Sequence, residues 1–359
     1  MTLLEVEDLT VSFPTADGVV RAVRGVSFSV DPGQTLGVVG ESGSGKTVLT
    51  QTLLALTPGA VVTGKALFDG TDLLQLSQRQ MQHIRGAQIS VIFQDPLTSL
   101  HPLYRVGWQI AEIIRAHDKT VSKKEAAERA VELLLRVGIP RPEQRVNDYP
   151  HQFSGGMRQR AMIAMALANS PKLIIADEPT TALDATVQAQ ILDLLLNLQR
   201  DSGTALIMIT HDLGVVADIA DNVMVMYAGR AAEKGTKHDI FYEPHHPYTK
   251  GLLESIPGSS AVGDRLKPIP GQPPSLINLP SGCKFHPRCA YVLDRCVTEE
   301  PTLHQIGAEF AHSSACWLPQ SAAGLGDTAE AIREETVREG RQGAAVVVAE
   351  TIATSPEVL

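Results

Sequence analysis

Eight consecutive residues carry the strongest chemical signal in the chain: Gly40, Glu41, Ser42, Gly43, Ser44, Gly45, Lys46 and Thr47, which read GESGSGKT. They follow the short apolar run Leu36 to Val39 and precede a helix-capable segment, Val48 to Leu56. Strand, glycine-rich turn, Lys, Thr and helix in that order are the context of a phosphate-binding loop. The glycines let the backbone curl so that successive N–H groups converge on one anion. The helix that follows adds its unpaired first-turn donors and the positive end of its dipole. Lys46 would reach the β- and γ-phosphates of a nucleotide, and the Thr47 hydroxyl would ligate Mg²⁺.

Further candidates stand at the ends of apolar runs. Leu173 to Ala176 lead into Asp177 and Glu178. Ligands of α/β folds bind at the carboxyl ends of parallel strands. Asp177 would hold Mg²⁺ there, directly or through water, and Glu178 would polarise an attacking water. Ile89 to Phe93 lead into Gln94, which can touch Mg²⁺ or that water. Ala205 to Ile209 deliver Thr210 and His211, and His211 suits a γ-phosphate sensor. Phe13, ahead of the loop, either stacks on a nucleotide base or belongs to the core. The stretch Phe153-Ser154-Gly155-Gly156-Met157-Arg158-Gln159-Arg160 opens a helix from Met157 to Asn169 and makes a second potential phosphate site. One chain rarely needs two sites for one γ-phosphate, but two chains arranged head to tail would use both.

The elements that must position these residues are legible in outline. Residues 3–30 alternate apolar side chains at Leu9, Val11 and Phe13 and again at Val26, Phe28 and Val30, with Pro14 and Asp17-Gly18 between the runs, so an antiparallel pair is expected. Lys65 to Phe68 form a strand that turns at Asp69-Gly70. From about residue 100 to 150 the pattern becomes helical. One helix is expected from Val106 to Ala116, and another from Ser122 to Val137, opened by a capping box of Ser122 with Glu125. Asp184 suits the N-cap of a helix from Ala185 to Arg200 after Ala182-Leu183. Val223 to Tyr227 and Arg230 to Glu233 read as late strands joined by Ala228-Gly229. The fold class is therefore α/β: a mixed sheet around a phosphate loop, an antiparallel β subdomain and a helical subdomain over about 97–170.

Composition narrows the partners. The 359 residues suit two domains or one large domain with an appendage. A net charge of −9 argues against a general nucleic-acid binder. No stretch has the roughly 18 uninterrupted apolar residues of a membrane span. The opening MTLLEVEDLT lacks the order of a signal peptide, so a soluble, cytosolic chain is expected. All four cysteines fall between 283 and 316, with spacing C-x5-C-x6-C-x19-C. Four thiolates can close either a cubane or a zinc site, and four free, partly buried thiols are the remaining reading. Residues 321–359 carry seven acidic and three basic residues and read as a mostly disordered acidic tail.

Over about residues 3–255 the chain resembles the ATP-binding cassette (ABC) ATPases. GESGSGKT resembles their Walker A loop, FSGGMRQR their signature, and LIIADEP their Walker B strand with its catalytic Glu. Gln94, Asp184 and His211 match the Q-loop, D-loop and switch His. Phe13 stands where many members carry Tyr. The resemblance implies two cassettes that sandwich two ATP molecules, with Ser154, Gly155, Gly156 and Gln159 of one facing the nucleotide of the other. It implies hydrolysis of MgATP and docking of the helical subdomain on a membrane permease near Gln94 and Tyr149 to Gln152. His246-Pro247-Tyr248-Thr249-Lys250 and Pro270-Gly271-Gln272-Pro273-Pro274 resemble the linker of dipeptide/oligopeptide importer ATPases. The cysteine spacing resembles the C-terminal motif of that subfamily, which implies a [4Fe–4S] cluster on Cys283, Cys289, Cys296 and Cys316, with zinc as the alternative. The expected organisation is an ATPase domain over 1–255, a cysteine module over 256–320 and the tail over 321–359. The expected role is the ATP-hydrolysing subunit of an importer, for peptides, or for nickel or another small solute; a soluble cassette protein is the less favoured alternative. The expected partners are permease subunits, a second ATPase (a different chain favoured over an identical one) and, indirectly, an extracytoplasmic solute-binding protein. The location implied is the cytoplasmic face of the cell membrane.

Overall fold

The computed structural model describes residues 2–95, 99–181, 184–255, 268–306 and 312–318. The expected acidic tail and the Ala182-Leu183 pair lie outside the described residues. In chain order the elements are β1 (Leu4–Thr15), β2 (Gly18–Val30), β3 (Thr35–Val39), α1 (Lys46–Leu53), β4 (Val61–Phe68), β5 (Thr71–Asp72), α2 (Gln78–Ile84) and β6 (Ile89–Ile92). There follow α3 (Val106–His117), α4 (Lys123–Arg136), α5 (Pro142–Arg145), α6 (Gly155–Leu167), β7 (Leu173–Asp177), α7 (Ala185–Ser202), β8 (Ala205–Thr210) and α8 (Leu213–Ile219). The last are β9 (Asn222–Tyr227), β10 (Arg230–Thr236), α9 (Lys237–Tyr242), α10 (Pro247–Glu254), α11 (Asp294–Thr298), β11 (His304–Gln305) and β12 (Ser313–Ser314). The chain divides into two compact units, one of Met1–Val38, Lys46–His211 and Ile219–Asp221, the other of Val39–Gly45, Asp212–Asp218 and Asn222–Leu359.

In the first unit, β1 and β2 pair antiparallel as their alternation requires, within a sheet of order β2-β1-β4-β5. The strands β6, β7 and β8 pair parallel, in the order β3-β8-β7-β6. Every residue of β7 and of β8 is buried. Strands buried on both faces need apolar residues at every position, which is why these two read as continuous runs instead of alternating ones. The helical subdomain packs α3 on α4 and both against α6. Val106, Ile110 and Ile114 of α3, and Ala126, Ala130 and Leu134 of α4, fall four residues apart and make one buried stripe on each helix. Buried residues occur on most of the circumference of α6.

Two helix starts and one helix cap differ from expectation. The helix after the glycine-rich loop starts at Lys46 instead of Val48, so both Lys46 and Thr47 sit in its first turn. The helix after Ser154 starts at Gly155, because the Ser154 hydroxyl accepts from Met157 N and caps it. Ser122 caps α4 through Glu125 N, but the Glu125 carboxylate turns to Arg129 at 2.6 Å, so the expected reciprocal capping box is a single cap bond.

In the second unit, β9 and β10 form a hairpin and β12 and β11 continue the sheet in the order β11-β12-β10-β9. Ala228 and Gly229 both have positive φ, 47° and 81°, which suits a two-residue turn between strands with right-handed twist. His246 caps α10, its Nδ1 accepting from Tyr248 N at 3.0 Å. Tyr248 itself is fully buried.

Candidate nucleotide site and cysteine cavity

The base of the glycine-rich loop is shaped by residues of the second unit. Gly40 has φ +149°, and a Cβ there would meet the Met226 carbonyl oxygen at 2.3 Å, so only glycine fits. Gly229 N donates to Ser44 O at 3.0 Å, and Glu41 N donates to Tyr248 Oη at 2.8 Å. The Glu41 carboxylate accepts a two-pronged ion pair from Arg288, at 2.6 and 2.9 Å. Sequence reading missed both Glu41 partners. They lie 207 and 247 residues away, and no local pattern joins them to the loop.

The residues expected to carry the chemistry gather within the first unit. The Thr47 hydroxyl donates to Asp177 Oδ1 at 3.1 Å. Asp177 is 6% exposed, and its carboxyl is held above the usual range. Burial is the largest cause, the Glu178 charge adds to it, and the Thr47 bond and the Lys46 charge oppose it. A buried carboxylate of this kind has an unmet preference for a cation, and with the Thr47 hydroxyl it makes an oxygen pair of the type that suits Mg²⁺.

Glu178 follows β7 in the left-handed region, with φ +47°. Its N–H donates to Ile209 O, which ties it to the end of β8. Gln94 Nε2 donates to Glu178 Oε2 at 3.0 Å, and the Thr181 hydroxyl donates to the same oxygen at 3.0 Å. His211 Nδ1 stands 3.2 Å from Glu178 Oε1. Gln94, Glu178 and His211, which are 84 and 33 residues apart in pairs, are thus one hydrogen-bonded group. Thr181 was not foreseen, since a Thr three residues after an acid carries no signal of its own. The strained backbone at Glu178 turns the carboxylate toward these partners, a conformation that a non-glycine residue adopts at a cost of roughly 1–3 kcal/mol.

The remaining candidates are placed separately. Asp184 accepts from Val187 N at 3.0 Å and caps α7 as expected. Phe13 is half-buried, so its ring is neither wholly core nor wholly free. Ser154 and Gly155 are exposed and Gly156 half-buried, at the start of α6. Gln159 is 1% exposed and faces the interior of the helical subdomain, so the chain presents Ser154 and the two glycines, but not Gln159, at its surface.

In the second unit, Cys283, Cys289, Cys296 and Cys316 are all free thiols and line one cavity, with His246, Phe285 and Trp317. Cys283 N donates to Cys296 O at 2.8 Å, which brings the first and third cysteines together. Burial pushes the Cys289 thiol up to about 11 and the Cys316 thiol up to about 12, and the neighbouring cysteines add to both shifts. Among the described residues no group of three or more His, Cys, Asp or Glu side chains is arranged to hold a metal ion, so the expected cysteine-held metal site finds no support in this geometry.

A parallel sheet whose strand ends carry Asp177, Glu178 and His211, with Thr47 in the first turn of a helix that follows a glycine-rich sequence, defines a phosphate-loop ATPase of the cassette class. The comparisons agree. Residues 23–181 match the family model described as ABC transporter, and residues 232–296 match that described as Oligopeptide/dipeptide transporter, C-terminal region. The chain is 52% identical over 335 residues to the oligopeptide transport ATP-binding protein OppD of Bacillus subtilis, covering 92% of this chain and 93% of that one. It is 51% identical to the dipeptide transport ATP-binding protein DppD of Lactococcus lactis, over 88% of this chain and 90% of the relative. Among solved structures it resembles the dimeric ATP-binding cassette MJ0796 bound to ADP and Pi, with TM-score 0.60 and 26% identity over 65% of this chain and 98% of that chain. The chain belongs to the ATP-binding subunits of the oligopeptide and dipeptide ABC transporters, and it is an ABC-type ATPase.

Proposed function

We propose that this chain is the motor subunit of a peptide importer, binding MgATP on residues 40–47 and hydrolysing it with Glu178 as the base. The observation that carries this is the grouping of Gln94, Thr181 and His211 around the Glu178 carboxylate, next to the Thr47–Asp177 pair. In the reaction a water oxygen attacks the γ-phosphorus, the bond to the β-phosphate oxygen breaks, and ADP and inorganic phosphate leave. Glu178 takes the proton of the water, Gln94 and Thr181 fix the carboxylate that does so, and His211 faces the γ-phosphate. Lys46 and the first-turn amides of α1 hold the phosphates. Thr47, Asp177 and Gln94 are the groups that would hold Mg²⁺, which supplies charge neutralisation across the phosphates. Phe13 would stack on the base. Ser154, Gly155 and Gly156 would contact the nucleotide of a second ATPase, with Asp184 at the same seam, so nucleotide closes the pair and hydrolysis reopens it.

Glu178→Gln tests the assignment. It keeps the shape and the hydrogen-bonding reach but loses the base, so ATP binding should persist while turnover falls by about a hundredfold or more. The expected readout is a closed, ATP-bound dimer. Hydrolysis at the normal rate would remove Glu178 from the reaction.

Docking on a permease is supported by exposed apolar side chains at the start of α3, Leu103 (77% exposed), Tyr104 and Trp108, the two rings stacked 4.4 Å apart. That contact would place the chain on the cytoplasmic face of a membrane, although no described helix is itself long and apolar enough to cross one. A different chain as the second ATPase is favoured over a copy of this one, and a solute-binding protein acts only through the permease.

The cysteine cavity is read as a [4Fe–4S] site held by Cys283, Cys289, Cys296 and Cys316, with zinc as the alternative. Four free thiols on one cavity support it. The group would be structural, and no step of hydrolysis passes through it. Anaerobic purification with iron, sulfide and zinc assays decides: about four iron and four sulfide per chain is expected. One zinc would replace the cluster, and no metal at all would remove the site.

A further inference from the structure

Glu41 is the one acidic residue in the GESGSGKT loop, and a loop that must gather three phosphates has no evident use for a carboxylate. Left unpaired, that charge would repel the nucleotide. It is not unpaired. The Arg288 guanidinium grips both carboxylate oxygens, Nη1 to Oε2 at 2.6 Å and Nη2 to Oε1 at 2.9 Å. Arg288 Nε donates to Pro270 O at 2.8 Å, so the fork is fixed on its third side as well. The Arg288 side chain is 4% exposed and the Glu41 side chain 27%. The pair is therefore largely desolvated on the cationic side, where such bidentate contacts hold geometry most strongly.

The surroundings of Arg288 are aromatic and closely packed. Its guanidinium lies 5.8 Å from the centroid of the Tyr227 ring and 5.9 Å from that of Phe285. Tyr227 meets Phe285 edge-on at 5.2 Å, and Tyr248 packs on both. Tyr248 Oη in turn accepts from Glu41 N at 2.8 Å. Backbone and side chain of one loop residue are thus held by two elements of the C-terminal region. Arg288 directly precedes Cys289, so the residue that grips the loop is built into the cysteine segment.

We propose that Arg288 is a positioning residue for the nucleotide, which acts through Glu41 to fix the curvature of residues 40–45 and to cancel their only negative charge. The C-terminal cysteine segment is then part of the nucleotide site in function, although it touches no phosphate. This rests on the reading of residues 40–47 as the phosphate loop.

Equilibrium binding of N-methylanthraniloyl-ATP with Mg²⁺ to the full chain tests it without turnover. Arg288→Ala should weaken binding by about tenfold, the effect of one unpaired charge near a polyanion. Arg288→Ala combined with Glu41→Gln should recover affinity to within about threefold of the parent, because the repelling charge is gone. A merely structural loss in the cysteine segment would not be rescued by a change in the loop. Lys46→Ala is the control for the loop itself. If Arg288→Ala binds like the parent while Lys46→Ala does not, or if Glu41→Gln fails to rescue, the positioning role is overturned and the loop reading stands. If Lys46→Ala also binds normally, the loop reading has failed. Should Arg288→Ala not fold, Arg288→Lys keeps the charge but loses the fork, and an affinity unchanged from the parent overturns the proposal in the same way.

Discussion

His246 shows how one buried side chain sets a pH limit on the C-terminal unit. It is 4% exposed, and its pKa is lowered to about 4, with burial as the largest cause and the Glu233 charge opposing it. Its Nδ1 accepts from Tyr248 N at 3.0 Å, so the ring must stay unprotonated at that atom to cap α10. The unfolded chain carries an ordinary histidine that takes up a proton near pH 6.5. Between pH 6.5 and 4 the unfolded state therefore binds more protons than the folded one. Stability from this group is complete above pH 6.5 and is lost as pH falls through the window, by roughly 3 kcal/mol in all. Urea unfolding at pH 7.5, 6 and 5 should show a falling midpoint. His246→Asn, which keeps an acceptor but does not titrate, should be less stable at pH 7.5 yet show a flatter profile. Parallel profiles for the two proteins would mean that acid acts elsewhere.

At the scale of elements, the sequence was most readable where a single period governs a segment. The parallel strands β7 and β8 end in Asp177, Thr210 and the residues after them as their unbroken apolar runs imply. Strand β1 is harder. Leu4 and Val6 are buried on even positions, then Leu9 and Val11 on odd ones. Asp8, with φ 45°, stands in the register shift between Val6 and Leu9 and moves the buried parity by one residue. A strict two-residue alternation reads only the second half of such a strand. The sequence places the start of α1 two residues late, because Lys46 and Thr47 belong to the loop by their chemistry, whereas the helix itself begins at Lys46. The least legible feature is the hold on Glu41. Pairing across more than two hundred residues leaves no spacing to find, and Arg288 reads as part of a cysteine segment, not of a phosphate loop.

At the scale of the whole molecule, the exposed start of α6 is the surface that a partner would meet. Ser154 caps that helix through Met157 N at 3.3 Å, and Gly155 beside it has open space where a Cβ would be. Gly156 is closer to α7, where a Cβ would come within 2.9 Å of the Val187 side chain. The hydrogen-bonded group around Glu178 makes none of its described bonds to Ser154. A helix start with orphan donors and no bulk is suited to an anion brought by another molecule. The solved cassette MJ0796 that this chain resembles is dimeric. Ser154→Arg is the decisive variant. It places a long side chain across the face that would meet the second ATPase's nucleotide but leaves residues 40–47 untouched. In the assembled importer, each chain's own nucleotide affinity should stay within about twofold, while ATP turnover falls by about a hundredfold, the scale of losing one transition-state donor. In a Glu178→Gln background the same change should abolish ATP-driven closure, read by light scattering or by cross-linking between the two ATPases. If Ser154→Arg instead weakens the chain's own nucleotide binding and leaves closure intact, the serine belongs to the site of its own chain and the shared arrangement is wrong.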